Sequence, residues 1–367
     1  MHRLPIATDS ATGNGLRPEE RAALRQVLPP MPANFHPGRL QDARGRSYSY
    51  LRLSVTDRCD LACRYCMPPG GELDHGLRAD LLSFEEAATV VSVFAQGGIQ
   101  RVRFTGGEPL VRKDFVRLVA LVRERTGIDE LVMTTNATRL AKLAKPLWDA
   151  GLRGVNISID TLDATRFHDA TRGGNLRRVL EGIDAALSLG FEVKTNTVAM
   201  RGVNDDEVVS LVEWAWKRGI TPRFIELMPL GEAASLPPTM RIDSDELVAK
   251  LGGRVKRDTV GGGPRRGPAF YHLSSDDPKR RVGFITALSH NFCDSCNRVR
   301  VTAQGDIRAC LASRRAVSLR DQLRSRASVE ELHWAMHWAL SGKDEGHRFL
   351  DTATEEHTHV GMSLIGG

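Results

Sequence analysis

From Tyr50 to Leu227 the chain alternates short apolar or β-branched runs with segments of helical period, and no other feature restricts the fold as much. Strand-like runs fall at 50–55, 101–104, 130–134, 153–159, 191–198 and 222–227. Helical segments lie between them at 84–97, 114–126, 139–150, 175–189 and 205–218. Several of these end at a glycine (Gly97, Gly127, Gly151, Gly190, Gly219), the residue that tolerates the left-handed turn closing a helix. Parallel strands need a long crossover, usually a helix, so five strand–helix repeats predict a parallel sheet with helical crossovers. Such a sheet curls into an α/β barrel or part of one.

After Pro229 the rhythm breaks. Residues 231–238 and 261–268 read as loops, 298–311 as a hairpin turning at Gly305 and Asp306, and 243–251, 318–326 and 328–341 as helices. Residues 230–367 are therefore expected to form a C-terminal layer on a partial barrel spanning 47–229. Residues 1–46, rich in Pro, Arg and small polar residues, read as a mostly disordered N-terminal extension with one short helix at 18–27. The composition, 41% hydrophobic and 26% charged over 367 residues, is that of an ordinary globular protein. No run of 18 or more apolar residues and no secretory signal is seen, which predicts no membrane span and a cytoplasmic protein with reduced thiols. The net charge of +6 favours an anionic ligand without choosing between a nucleotide and a nucleic acid.

Buried parallel strands should be nearly continuous in apolar residues. Here Arg52, Arg103, Lys194 and Arg223 each interrupt one. One such cation can snorkel outward. Four on four strands predict a basic cavity inside an incomplete barrel, suited to a triphosphate or another compact polyanion. Active residues of such barrels gather at the C-terminal ends of the strands. That rim collects Gly106, Gly107 and Glu108 after the second strand, Thr134 on the third, Ser158 on the fourth and Met228 after the sixth.

All six cysteines fall in two triplets: Cys59, Cys63 and Cys66 after the first strand, and Cys293, Cys296 and Cys310 near the hairpin. Three thiolates leave a tetrahedral site one ligand short, and an incomplete site is an open one. Zinc would need a fourth ligand, for which His75 is the nearest candidate at the first triplet. His333 and His337 stand four apart on a predicted helix, but Trp334 and Trp338 between them favour packing over metal binding.

The segment from Cys59 to Cys66, with Tyr65 before its last cysteine, resembles the signature loop of the radical S-adenosylmethionine (radical SAM) enzymes. Gly106-Gly107-Glu108 resembles their motif for the SAM amino group. The resemblance implies an incomplete (βα)6 TIM-like barrel and a [4Fe–4S] cluster whose free iron is chelated by SAM. It also implies electron transfer that yields a 5′-deoxyadenosyl radical. The second triplet, with Arg298 and Arg300 following, looks like the auxiliary-cluster segment of the GTP 3′,8-cyclase family, which acts first in molybdenum cofactor biosynthesis. The terminal Gly366 and Gly367 are similar to that family's tail. The resemblance runs from about Tyr48 to Gly367. It implies a second [4Fe–4S] cluster that takes the guanine of GTP, and GTP contacts from Arg52, Arg103, Thr134, Lys194, Arg298, Val299 and Arg300; Arg223 joins them from its position. Tyr65, Gly106, Gly107, Glu108, Ser158 and Met228 match SAM positions, and Gly366 and Gly367 would reach the cavity. The implied reaction removes the ribose 3′-hydrogen and joins C3′ to guanine C8.

A reductant such as flavodoxin or ferredoxin and a downstream cyclic pyranopterin monophosphate synthase are the expected partners. No nucleic acid or membrane is expected, and a homodimer is compatible with the reading. Two departures stand out: Ala137 where glycine is common, and Asp60 where asparagine is common. The competing readings are another radical SAM enzyme with an auxiliary cluster, for instance a peptide-modifying one, and a basic zinc-module protein that binds nucleic acid.

Overall fold

The computed structural model describes residues 24–68, 75, 77–258, 267–313, 315–347, 349 and 362. The barrel repeats run β1 (Tyr50–Ser54), α1 (Phe84–Gln96), β2 (Arg101–Thr105), α2 (Phe115–Thr126), β3 (Glu130–Thr135), α3 (Leu140–Asp149) and β4 (Gly154–Ser158). They continue with α4 (Ala164–Ala170), α5 (Leu176–Ser188), β5 (Glu192–Ala199), α6 (Val208–Lys217) and β6 (Thr221–Glu226). The remainder comprises α7 (Ser244–Leu251), β7 (Val255–Arg257), β8 (Phe270–Ser274), β9 (Arg281–Ile285), β10 (Arg298–Val301), β11 (Asp306–Arg308), β12 (Val317–Ser318), α8 (Leu319–Arg324) and α9 (Val329–Ser341).

All strands join one sheet in the order β12-β11-β10-β1-β2-β3-β4-β5-β6-β9-β8-β7. β1 to β6 are parallel in sequence order, as the alternation predicts. The C-terminal region takes a particular form: it extends this sheet at both edges. β10 pairs parallel with β1 and β9 parallel with β6, and each carries an antiparallel hairpin outward. The strands β7 to β9 and β12 and the short helix α4 lie outside the elements expected from the sequence. β8 and β9 are five residues each, interrupted by His272 and Gly283, and are held by stacking of Phe284 on Phe270 and Phe224.

The strands alternate in character. Leu51, Leu53, Val102, Phe104, Leu131 and Met133 point outward and pack with Phe94, Leu118, Leu147 and Ile183 of the helices in one continuous core. Each such side chain contributes roughly 1.5–3 kcal/mol by leaving water. α1 starts cleanly because Ser83 and Glu86 form a reciprocal capping box. The alternate residues point inward, and those are the polar ones. Among the described residues no helix is long and apolar enough to cross a membrane.

Residues 24–46, within the stretch read as a disordered extension, carry no helix or strand among those named above, yet they are packed. Leu40 is fully buried and lies where Gly97 has no side chain; a Cβ there would sit 2.7 Å from Leu40 Cγ. Arg25 bridges to Ala316 and pairs with Asp306 and Asp321. The short helix expected at 18–27 falls mostly outside the described residues, and its end is a turn and a bridge instead.

Candidate active site

In a parallel sheet, side chains in register on neighbouring strands share a face. The register sets Arg300 beside Arg52, Arg52 beside Arg103, Thr134 beside Asn156, Asn156 beside Lys194, and Asn196 beside Arg223. These inward residues line a cavity of about 670 Å3 that both cysteine triplets also reach. That volume falls within the ordinary range for small-ligand sites. Arg103 is anchored: its Nε donates to the Tyr50 hydroxyl, and its Nη1 to Met133 O at 3.1 Å and Thr134 Oγ1 at 3.3 Å. Lys194 pairs with Glu192 at 2.6 Å, yet burial brings its ammonium down to about 8. Arg223 is 6% exposed and its Nε and Nη2 have no partner. Tyr271 is the recorded side-chain neighbour of this guanidinium, and a buried cation with two unsatisfied nitrogens is costly unless an anion offsets it.

The first triplet sits in the loop that leaves β1. Gly107 N donates to Thr56 O (2.9 Å) and Glu108 N to Arg58 O (2.8 Å), which sews the end of β2 to this loop. The fit requires glycine. A Cβ would lie 2.2 Å from Thr56 O at Gly106 and 2.3 Å from Arg58 O at Gly107. On the far side, Ala62 N and Arg64 N donate to Thr171 O and Ala170 O at the end of α4, so the unforeseen helix braces the cysteine loop.

The Glu108 carboxylate is buried and accepts from Leu110 N, Thr135 Oγ1 and Asn136 N. Three of its roughly four acceptor positions are thus taken, leaving about one for a ligand ammonium. Burial pushes its carboxyl up to about 7 in spite of those donors. Tyr65 donates to Asp160 at 3.0 Å, and burial raises Asp160 to about 6. Asp60 uses its second oxygen: it accepts from Asn136, Thr138 and Arg139, more than an asparagine oxygen alone would serve. Ala137 is buried in the left-handed region at φ 61°, which explains why glycine would suit that position.

The second triplet sits at the other end of the same strand pair. Cys293 and Cys296 precede β10, which runs parallel to β1, whereas the first triplet follows β1. With β1 five residues long, the triplets stand apart by roughly 15 Å, the length of the strand. Cys310 follows β11, so the hairpin returns it to Cys293 and Cys296. Arg298 Nη2 approaches Cys296 Sγ at 3.6 Å and Lys343 Nζ at 3.4 Å. Burial would raise this thiol, but Arg298 and Lys343 outweigh it and bring it down to about 6. At the first triplet burial dominates, pushing Cys59 up to about 12 and Cys63 well above its usual value.

Both donor sets fit iron–sulfur clusters. Thiols bind a metal as thiolates, and all six cysteines are half-buried and free of disulfides. Among the described residues no three His, Cys, Asp or Glu groups converge on a single ion.

Of the residues singled out from sequence, the cavity gathers all six cysteines, Arg52, Tyr65, Arg103, Gly106, Gly107, Glu108, Thr134, Ser158, Lys194, Arg223, Met228, Arg298 and Arg300. Val299 is the exception. It is fully buried in the outer core, because it alternates with Arg298 and Arg300 and must face the helices. Gly366 and Gly367 lie outside the described residues, though Met362 of the same tail lines the cavity. His333 is buried and lies 3.4 Å from Gln96 Oε1. The sequence reading missed Asn156 and Asn196, which period-two alternation with Ser158 and Lys194 would have found. It also missed Arg46 and Lys343, for which no local signal exists.

Two family models cover most of the chain: the Radical SAM superfamily over residues 53–215 and Molybdenum Cofactor Synthesis C over residues 220–349. The chain is 44% identical over 341 residues to a GTP 3′,8-cyclase of Ectopseudomonas mendocina, covering 91% of this chain and 100% of that one. It is 43% identical over 336 residues to the GTP 3′,8-cyclase of Pelotomaculum thermopropionicum, covering 89% and 100%. Among solved structures, Streptococcus suis SuiB shares the fold at a TM-score of 0.54 and 16% identity, covering 86% of this chain and 72% of that one. With both family segments in order and near-complete coverage of these relatives, the chain belongs to the GTP 3′,8-cyclase family of radical SAM proteins.

Proposed function

We propose that this protein is a GTP 3′,8-cyclase, converting GTP to 3′,8-cyclo-7,8-dihydroguanosine 5′-triphosphate as the first step of molybdenum cofactor biosynthesis. The observation that carries this reading is the row of inward strand cations between two cysteine triplets, with Nε and Nη2 of Arg223 left without a partner. A polyanion between the triplets would offset the cost of those charges.

Cys59, Cys63 and Cys66 hold one [4Fe–4S] cluster, and Cys293, Cys296 and Cys310 hold the other. When bound, the first cluster supplies the electron that cleaves SAM. Tyr65, Gly106, Gly107, Glu108, Ser158 and Met228 hold SAM at the C-terminal rim. Arg52, Arg103, Thr134, Lys194 and Arg223 grip the triphosphate and ribose, while Arg298 and Arg300 orient the base beside the second cluster. Val299 serves only through its backbone. Positioning is the protein's main contribution, since the reacting carbons must meet in a chamber that excludes stray hydrogen donors. The terminal Gly366 and Gly367 take part in catalysis. On this reading the enzyme works in the cytoplasm, draws electrons from a flavodoxin or ferredoxin, and hands its product to a cyclic pyranopterin monophosphate synthase.

The test is anaerobic incubation of the reconstituted protein with SAM, GTP and a low-potential reductant. The expected products are 5′-deoxyadenosine and a cyclised GTP. Formation of 5′-deoxyadenosine with no change in GTP would assign the protein another substrate.

A further inference from the structure

The two triplets differ in what touches their sulfurs. In the first, Cys59 Sγ meets only neutral donors, Leu61 N at 3.4 Å and Asn136 Nδ2 at 3.8 Å, with the carboxylates of Asp60 and Glu108 close by. In the second, Cys296 Sγ receives two cationic donors, Arg298 and Lys343. Arg298 faces the cavity and belongs to the nucleotide site. Lys343 also borders the cavity, but its ammonium is turned onto the sulfur and shared with Arg298 O at 3.3 Å, and the residue is 8% exposed.

Lys343 is held by a closed set of contacts. Its ammonium lies 4.7 Å over the ring of Tyr48, whose hydroxyl donates to Asp42 at 2.6 Å. Asp42 pairs with Arg46. The Arg46 guanidinium then binds the backbone on which Lys343 sits, donating to Asp344 O at 2.8 Å and Glu345 O at 3.1 Å, and also to Cys293 O at 3.1 Å. One cation thus ties the cysteine loop to the segment carrying the other cation. Such a frame fixes an ammonium on a sulfur; loose snorkelling would leave it in water.

We propose that Lys343, positioned by Arg46 and Tyr48, sets the reduction potential of the second cluster above that of the first. The proposal rests on the two-cluster reading given above. Positive charge and N–H···S hydrogen bonds stabilise the reduced, more negative form of a cluster. The second cluster would then be the easier to reduce: two cations reach one of its sulfurs, whereas at the first the Asp60 and Glu108 carboxylates near Cys59 are set against one guanidinium, Arg172, near Cys63.

The test is a potentiometric titration of the full-length, anaerobically reconstituted enzyme followed by electron paramagnetic resonance. The signal shifted by GTP reports the second cluster and the signal shifted by SAM reports the first. At a fixed potential, Lys343→Met should lower the reduced-to-oxidised ratio of the GTP-sensitive signal about tenfold, which is about 59 mV for one electron. The SAM-sensitive signal should not move, and Lys343→Arg should recover most of the loss. Arg46→Lys keeps its charge but loses the planar fork, and should reproduce the fall. A ratio within twofold of wild type in Lys343→Met, with both signals responsive, would overturn the proposal alone. Failure of GTP and SAM to shift any wild-type signal would overturn the two-cluster reading and the proposal with it. If Lys343→Met assembles only one cluster, the same titration is read on Lys343→Gln, and an unchanged ratio there is equally fatal.

Discussion

Replacing Arg223 with methionine separates a cation kept for a ligand from one kept for the fold. In the structure the Arg223 stem packs where Gly283 makes room; a Cβ at Gly283 would lie 2.8 Å from Arg223 Cγ. Its Nε and Nη2 have no partner, and burial lowers its pKa. Arg223→Met keeps the stem's volume, removes a desolvated charge and breaks no bond at those two nitrogens, losing only the interaction with Tyr271. The ligand-free protein should therefore be as stable as wild type or more so, because replacing a buried charge with a packed apolar group is often neutral to stabilising. GTP binding should weaken by the worth of a charge-assisted hydrogen bond, about 1.5–3 kcal/mol, or roughly 10- to 150-fold in Kd. Calorimetric titration with GTP and thermal melting of the same preparation give both quantities. A clear drop in Tm with an unchanged Kd would refute the reasoning: Arg223 would be a structural cation, and the cavity's charge would need another explanation.

Gly107→Ala should cost the first cluster while sparing the second, since its Cβ would fall 2.3 Å from Arg58 O and push the cysteine loop off β2; iron analysis should then find roughly half the wild-type content, and a full complement would count against the packing argument. Lys194 should make stability depend on alkaline pH. Its folded pKa is lowered to about 8 from 10.5, so between those values the unfolded chain binds more protons, and stability rises with pH across that window. GTP affinity should weaken above about pH 8 as the ammonium is lost. Both dependences should vanish in Lys194→Met, as followed by denaturant melts and binding titrations at several pH values. Ala137→Gly should raise stability by up to about 1 kcal/mol, the relief of a left-handed alanine, about 1–2 kcal/mol, less a buried methyl of about 0.8 kcal/mol; a denaturant titration showing a loss would argue that the methyl's packing dominates.

The barrel was legible in the sequence because each of its strands and helices carries its own period. β1 to β6 and the helices foreseen between them end within a few residues of where the pattern places them. α4 escaped because seven residues are too few for a period to emerge, and β7 to β9 because their short runs lie among Gly- and Pro-rich loops. At the site, the strand cations announced themselves by interrupting apolar runs, and the triplets by their spacing. At Val299 period two puts the side chain on the opposite face from its neighbours, which leaves only its backbone toward the cavity side of the strand. Arg46 was hidden for another reason. It acts on Cys293, 247 residues away, and only the closing of β10 onto β1 brings them together.

That same closure bears on the order in which the molecule can be made. β1 is the first strand of the sheet to leave the ribosome, but one of its two neighbours is residues 298–301, near the end of the chain. Until those residues emerge, β1 remains an open parallel edge, with its backbone groups available to any passing strand. The second metal site does not yet exist at that stage, whereas the cysteines of the first have already been synthesised. The topology therefore makes the cysteines of the first triplet available before those of the second. A chain that stops short of residue 298 is an aggregation hazard as well as an inactive enzyme.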